Sequence, residues 1–394
     1  MPINLTYFVF FYVFFYMANA VYGTFIPLYF QHIGFTQSQI GTLLGLGPLV
    51  AILAQPVWGL FSDRAKTKNS VLLFLIVGTG LTVLLYPLSN HFVFLLVFIC
   101  IFTFFQSPIF ALTDAVTLET LDKRGKGNFS LIRMGGTFGF AIMSIVFGLI
   151  AQKRIDWLFG VYAIILACCF LLALRFPKIE GHQARNRKMP LWVLFRNRKL
   201  MLYLSANFVF QITLGYYYAF FPLYFKEMGG DSAWLGWSMV ISSLSEVPFL
   251  LMSKQIFRRI QTSHILLGAG VAAALRWYLF SSIHDPIWLL PTQALHGLIF
   301  IVLSVTMANV INKEVPNELK ASGQTLNGLL TLGVARIIGS LAGGIASEAV
   351  GMRRMFLYNF MLAFVCIVIF SIVFWVQRNH ETTKVISSGT IYKD

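Results

Sequence analysis

Charge is scarce in this chain, and cysteine is scarcer. Only 11% of its 394 residues are Asp, Glu, Lys or Arg, against about a quarter in ordinary soluble domains. Such a sequence cannot clothe a globule that faces water on all sides. Its four cysteines, Cys100, Cys168, Cys169 and Cys366, all fall inside apolar stretches, which leaves no extracellular disulfide framework. Walker sequences, dinucleotide-type glycine fingerprints, His-Glu zinc motifs and Cys pairs at metal spacing are absent. ATP-driven work by this chain alone is therefore not expected, and no metal or other cofactor is expected either. Long polar stretches are missing too, apart from one near the middle. Most loops have about ten residues or fewer, too few for an enzymatic or sensor domain.

What is present is hydrophobic sequence: 57% of the residues, with mean hydropathy +0.74. Stretches of about 20 apolar residues, each enough to cross ~30 Å of hydrocarbon, recur from end to end. Twelve are expected, at roughly 5–30, 41–61, 71–88, 92–118, 130–151, 157–174, 200–225, 235–256, 265–282, 287–311, 325–347 and 355–376. Lipid cannot satisfy free backbone groups, so these must be helices, and the fold class is all-α, multi-pass membrane protein.

Bases outnumber acids 30 to 15, for a net charge of +15. That excess could signal a nucleic-acid binder, but its distribution argues otherwise. With a cytoplasmic N-terminus, the inner loops hold Arg64, Lys66 and Lys68, then Lys123, Arg124 and Lys126, then the basic central stretch, then Lys254, Arg258 and Arg259. The outer loops hold only Lys153, Arg154, Lys226, Arg353 and Arg354. This asymmetry is the positive-inside pattern and places both termini in the cytoplasm. Nucleic acid is not an expected partner; anionic lipid at the cytoplasmic loops is. Ala18-Asn19-Ala20 resembles a signal-peptidase site, but no Lys or Arg precedes it and the apolar run continues to Phe30. A retained first helix is expected.

A phrase occurs twice. Phe25-Ile26-Pro27-Leu28-Tyr29-Phe30 returns as Phe220-Phe221-Pro222-Leu223-Tyr224-Phe225; the same offset carries Ile40-Gly41 onto Leu235-Gly236 and Asp114 onto Asn309. A repeat of half the chain inside hydrophobic sequence is the mark of a transporter made of two homologous bundles, with the solute between them near the midplane. The expected division is 1–174 for one six-helix bundle, 175–199 for a basic cytoplasmic linker, 200–376 for the second bundle and 377–394 for a polar tail. Asn309 enters the candidate solute site as the counterpart of Asp114.

Charged side chains within the spans each need a reason, since one at the bilayer centre costs at least ~2.5–3.5 kcal/mol. Asp114 and Arg133 fall ~10 Å and ~8 Å from the inner surface on consecutive antiparallel spans, so an ion pair is feasible, with Glu119 as a competing partner. Glu246, Arg276 and His296 fall ~12, ~18 and ~17 Å deep on three spans of the second half, in one layer near the midplane. An acid that Arg276 holds ionised and apolar surroundings hold neutral, beside a histidine that titrates near neutrality, is what proton coupling needs. Arg336 is a further embedded cation without an acid in its own span, placed here in the cavity wall or against an acid across the interface. Gly59 to Lys68, with Asp63 and Arg64, closes the second span and reads as a conformational latch between the halves. The glycines 135, 136, 139, 339, 343 and 344 read as close helix crossings.

These features together resemble the major facilitator superfamily over essentially the whole chain. Within it they resemble the branch that holds the phenylpropionate permease, the lactose permease and nucleoside–proton symporters. The residues that carry the likeness are Pro108 to Ala115, Arg133 to Gly136, Ser245-Glu246-Val247, Arg276-Trp277 and Leu295-His296-Gly297, in order on the expected spans. The resemblance implies two pseudo-symmetric six-helix bundles, alternating access and solute–proton symport in a cell membrane, with a bacterial plasma membrane expected. It implies solute contact at Asp114 or Glu119 with Arg133, and solute binding with proton coupling at Glu246, Arg276 and His296. Two departures bear on the solute. No acid follows His296 one turn on, where Gly297 to Phe300 stand, and Arg336 is extra, which favours an anion. The expected activity is import of an aromatic or other carboxylate, a sugar or a nucleoside by a single copy of the chain. The alternative is a drug–proton antiporter of the same fold, disfavoured because the fifth span has Gly135 and Gly136 without a following Pro.

Overall fold

The computed structural model describes residues 5–124, 129–179, 192–316 and 319–387; the side chains at 63, 124, 130, 192, 193, 321 and 377–387 lie outside that description. Every regular element among the described residues is helical. The first half supplies α1 (Thr6–His32), α2 (Gln37–Arg64), α3 (Lys68–Leu84), α4 (Phe92–Arg124), α5 (Phe129–Ala151) and α6 (Leu158–Ala173). A single turn, α7 (Trp192–Phe195), leads into the second half: α8 (Arg198–Glu227), α9 (Ser232–Leu244), α10 (Glu246–Arg259), α11 (Thr262–Ser282), α12 (Leu289–Thr292), α13 (Leu295–Glu314), α14 (Lys320–Gly328), α15 (Ala335–Val350) and α16 (Met352–Ser387).

Polar residues start these helices where orphan backbone donors need partners. Thr36 and Gln39 form a reciprocal capping box at α2, Asn197 accepts from the Leu200 amide at α8, and Asp231 accepts from the Trp234 amide at α9. Eleven helical stretches among the described residues are long and apolar enough to cross a membrane. The seventh expected span is present as α8, thirty residues long, but it is too polar to count among the eleven. Its burial explains the polarity. Side chains from Leu200 to Phe225 are covered by protein on most sides, so Asn207, Gln211 and three consecutive tyrosines need not face lipid. The central linker lies mostly outside the described residues, although its first residues are pinned: the Ile179 carbonyl accepts from the Lys68 amide and the Ile179 amide donates to Asn69 Oδ1, and Phe176 stacks on Phe8 at 4.1 Å. At the far end α16 stays helical to Ser387, well beyond the expected end of its span at 376.

Three expected spans are not regular helices. The eighth divides at Ser245 into α9 and α10. Pro248 explains the break: it offers no amide hydrogen and its ring crowds the carbonyl four residues back, at Leu244. The tenth divides between α12 and α13, where Ala294 and His296 donate to carbonyls only three residues back, Pro291 and Gln293. The eleventh passes through a π-helical turn, Leu329–Val334, immediately before α15.

The doubled phrase is buried in both copies, on α1 and α8. Within the first half α1 packs on α5 and α6, and α3 on α4 and α6; within the second, α11 packs on α13 and α16, and α8 on α15. The halves meet through two crossings related by the repeat, α2 on α15 and α5 on α9, and through α1 on α8. Gly41 and Gly236, paired by the sequence offset, occupy those two crossings. A Cβ on Gly41 would strike the Ser340 carbonyl, and one on Gly236 the Ser144 carbonyl. Alongside, the Ser38 amide donates to Glu348 Oε2 at 3.1 Å, joining the start of α2 to the end of α15. The halves are thus closed at the end bearing Gly41. At the opposite end of α2 a Cβ on Gly59 would meet nothing within 4 Å, and among the described residues α4 has no comparable packing on α10, α13 or α14.

Overpacking a tight contact costs about 1–3 kcal/mol, enough to shift a conformational equilibrium roughly 5–150-fold. Gly236→Leu is therefore expected to depopulate this closed-end state. Spin labels at positions 38 and 348 would report it as a longer distance distribution in the variant. An unchanged distribution would mean the α5–α9 crossing does not hold that end shut.

Candidate functional site

In the first half the site begins with a carboxylate. Asp114, on α4, accepts from the Tyr12 hydroxyl at 2.5 Å and lies 3.5 Å from Arg133 Nη1 on α5. Tyr16, one turn along α1 from Tyr12, accepts from Arg133 Nε at 3.4 Å. The guanidinium also sits over the Phe110 ring, 5.2 Å from its centroid. Glu119 does not compete for Arg133; it takes Lys68 at 2.8 Å and Lys123 at 3.8 Å. Asp114 is the partner of Arg133.

In the second half Arg276, His296 and Gln293 are buried. Arg276 Nη1 lies 3.0 Å from His296 Nδ1, and Nη2 donates to Gln293 Oε1, which also accepts from the Tyr217 hydroxyl at 3.0 Å. Above the guanidinium lies the Tyr217 ring, 4.1 Å away, with Trp277 and Phe280 each at 5.2 Å. The other imidazole nitrogen, Nε2, faces Glu246 Oε1 at 3.7 Å and the Tyr218 hydroxyl at 3.2 Å. Arg276, expected to stabilise Glu246, is linked to it through His296, which stands between them. The break at Ser245 allows this. Its Oγ accepts from the Gly297 amide at 2.8 Å, and the absent Gly297 side chain lets the α9–α10 break lie directly on α13.

The chemistry of this chain follows from donor counting. Arginine has no acceptor, so Nδ1 of His296 must accept from Arg276, and the remaining proton of a neutral ring lies on Nε2. A second proton would have to displace Arg276. Histidine therefore orients here, held between Arg276 and Glu246.

Arg336 is half-buried with its guanidinium 4.2 Å above the Tyr218 ring. Among the described residues no acid lies within ion-pair distance of it, so an aromatic face takes the place of the acid expected across the interface. The two clusters lie in different halves, which meet where α1, bearing Tyr12 and Tyr16, packs on α8, bearing Tyr217 and Tyr218. Asp114, Arg133 and Glu246 keep 23, 45 and 24% of their side-chain surface exposed; the buried Arg276 group lies behind them.

Asn309 is not brought to this cluster. It sits thirteen residues beyond His296 on α13, ~20 Å along the axis. Gly59 and Arg64 lie at the open end of α2, and the side chain of Asp63 is outside the described residues. Residues that sequence reasoning missed are Tyr12, which fixes Asp114, and Gln293, which fixes Arg276. For Gln293 the available signal was its position three residues before His296.

A family model described as "MFS_1 like family" matches residues 5–358. The chain belongs to that family. It is accordingly a multi-pass membrane transporter, not an enzyme. Among its relatives, a probable 3-phenylpropionic acid transporter of Escherichia coli is 26% identical over 70% of this chain and 74% of its own length. The multidrug resistance protein MdtG of Citrobacter koseri is 24% identical over 86% of this chain and 87% of its own. A crystal structure of the nucleoside transporter NupG superposes with a TM-score of 0.85 at 19% identity, covering 95% of this chain and 99% of that one. At that identity the likeness is one of fold.

Removing Gln293 leaves a buried guanidinium arm and the Tyr217 hydroxyl without their acceptor. Hydrogen bonds to charged groups contribute about 1.5–3 kcal/mol, so Gln293→Leu should lower the thermal unfolding midpoint in detergent by several degrees. Tyr217→Phe, which strands no charge, should cost less. Equal midpoints for Gln293→Leu and wild type would show that Arg276 does not depend on this acceptor.

Proposed function

We propose that the protein imports a small organic solute together with a proton by alternating access, through twelve spans in two six-helix bundles divided by the linker at 175–199, with both termini cytoplasmic. The solute is an aromatic or other carboxylate, a sugar or a nucleoside. The observation that carries the reading is Glu246: a part-exposed carboxylate at the bundle interface, beside a histidine whose other nitrogen is occupied by a buried arginine. An acid so placed gains or loses its proton at the surface the solute would share. With the Gly41 end outermost, as the distribution of basic loops has it, the state described here is closed outward and open inward.

Solute binding falls to Asp114, Arg133 and Arg336, backed by Arg276 and His296. Arg133 is offset by Asp114, whereas Arg336 faces the Tyr218 ring with no acid beside it among the described residues. One uncompensated cation next to aromatic faces weighs toward a carboxylate that carries a ring. A proton travelling with such a monoanion makes the cycle electroneutral. Asn309 keeps only its place in the repeat as support. Gly59, Asp63 and Arg64 act when the open end closes, where the space around Gly59 admits a neighbouring helix. A drug–proton antiporter is the second reading, favoured by the likeness to MdtG.

Glu246→Gln separates coupling from binding. Uphill accumulation of solute in proteoliposomes under an imposed pH gradient should vanish in this variant, while exchange of labelled for unlabelled solute persists, because exchange needs no net proton movement. Accumulation equal to wild type would remove Glu246 from the mechanism.

A further inference from the structure

Away from the interface, the second half carries a cavity of about 700 Å³ at the end where α8 and α11 begin and α10 and α13 finish. Its wall holds Arg258, Arg259 and Lys313, all exposed, and no acid among the described residues lies within ion-pair distance of any of the three. The carboxylate that the described wall residues include, Glu314, is taken by Lys199 at 3.0 Å. The start of α11 opens into the same cavity through Thr262, Ser263 and His264, and its N-cap residue Gln261 supplies no side-chain bond to the first amides. Three cations and a row of uncapped backbone donors converge on one recess, an arrangement suited to a phosphate group.

The remaining wall distinguishes a lipid phosphate from a soluble one. Phe374 and Trp375 of α16 line the recess. Leading away from it, Val365, Ile369, Ile372 and Trp375 are exposed along that helix, at the three- and four-residue spacing of a single face. The basic recess therefore opens onto an apolar track one helix wide, with a tryptophan at the join, where amphipathic rings settle at headgroup depth. The chain's own linker is a poor occupant. Between 180 and 191 it carries Arg185, Arg187 and Lys188 against the single acid Glu180, and like charge would repel it.

We propose that this recess binds one anionic phospholipid, its phosphate between Arg258, Arg259 and Lys313 and an acyl chain along α16. The site is separate from the solute cluster and does not depend on which solute is carried.

The test is native mass spectrometry of the full-length protein in detergent, titrated with phosphatidylglycerol or with phosphatidylcholine of the same acyl chains. One phosphatidylglycerol should be retained at a concentration roughly tenfold or more below that for phosphatidylcholine, since each basic residue near the headgroup contributes to the preference. The triple variant Arg258→Gln/Arg259→Gln/Lys313→Gln should lose the preference. The variant Lys66→Gln/Arg175→Gln/Lys178→Gln, which removes equal charge elsewhere, should keep it. Thermal unfolding of both variants without added lipid shows that each is folded; if the first is not, Arg258→Gln alone is used and should weaken the preference in part. Equal retention of the two lipids, a preference unchanged in the first variant, or displacement of phosphatidylglycerol by inorganic phosphate at lipid-equivalent concentration would each overturn the proposal.

Discussion

The second half of this transporter is organised around a buried guanidinium, Arg276, with no carboxylate against it among the described residues. Leaving Arg276 unsolvated in a membrane protein would be costly; instead Gln293 and His296 accept from it and the Tyr217, Trp277 and Phe280 rings surround it. Each partner is constrained in turn. His296 must offer Nδ1, which fixes its tautomer and aims Nε2 at Glu246 and Tyr218. Gln293 must offer its carbonyl oxygen, which also accepts from Tyr217. One cation thereby orients His296 and Gln293 and, through them, Tyr217, Tyr218 and Glu246.

Regular helices would not present those groups together. Glu246 opens α10 just after a break imposed by Pro248, Gln293 and His296 flank the gap between α12 and α13, and Arg336 follows a π-helical turn. Irregular backbone inside a membrane protein is tolerated where it is buried in protein or lines a cavity, and such departures gather at functional sites. The first half differs. Asp114 and Arg133 lie on unbroken helices, and Tyr12 and Tyr16 on α1 position them. The two halves share a fold and a repeated phrase but hold their charges by different means.

Much of this was legible in the sequence. The repeat pointed to two related halves; that Gly41 and Gly236, which it pairs, occupy two of the crossings where the halves touch is seen only in the structure. Helical rise alone put Asp114 level with Arg133, and Glu246, Arg276 and His296 in one layer. The order of contacts within that layer was not legible, because depth along a helix does not give rotation about it. Depth put Arg276 near Glu246, but not His296 between them. Asn309 looked equivalent to Asp114 because the offset matched, yet its distance along α13 separates it from the cluster. The polar α8 shows the reverse case. Hydropathy measures fitness for lipid, and a helix surrounded by protein need not have it.

The claim on which the account rests is that solute and proton enter together. The most direct measurement is the lumenal pH of proteoliposomes holding a trapped pH dye, with aromatic carboxylates, nucleosides and disaccharides added outside in turn. Because it reads protons and not net charge, it detects electroneutral symport as well. The account predicts that one of these classes acidifies the lumen as it enters. Lumenal alkalinisation on solute entry would indicate antiport, and entry of labelled solute with no pH change would indicate an uncoupled carrier; either result would contradict it.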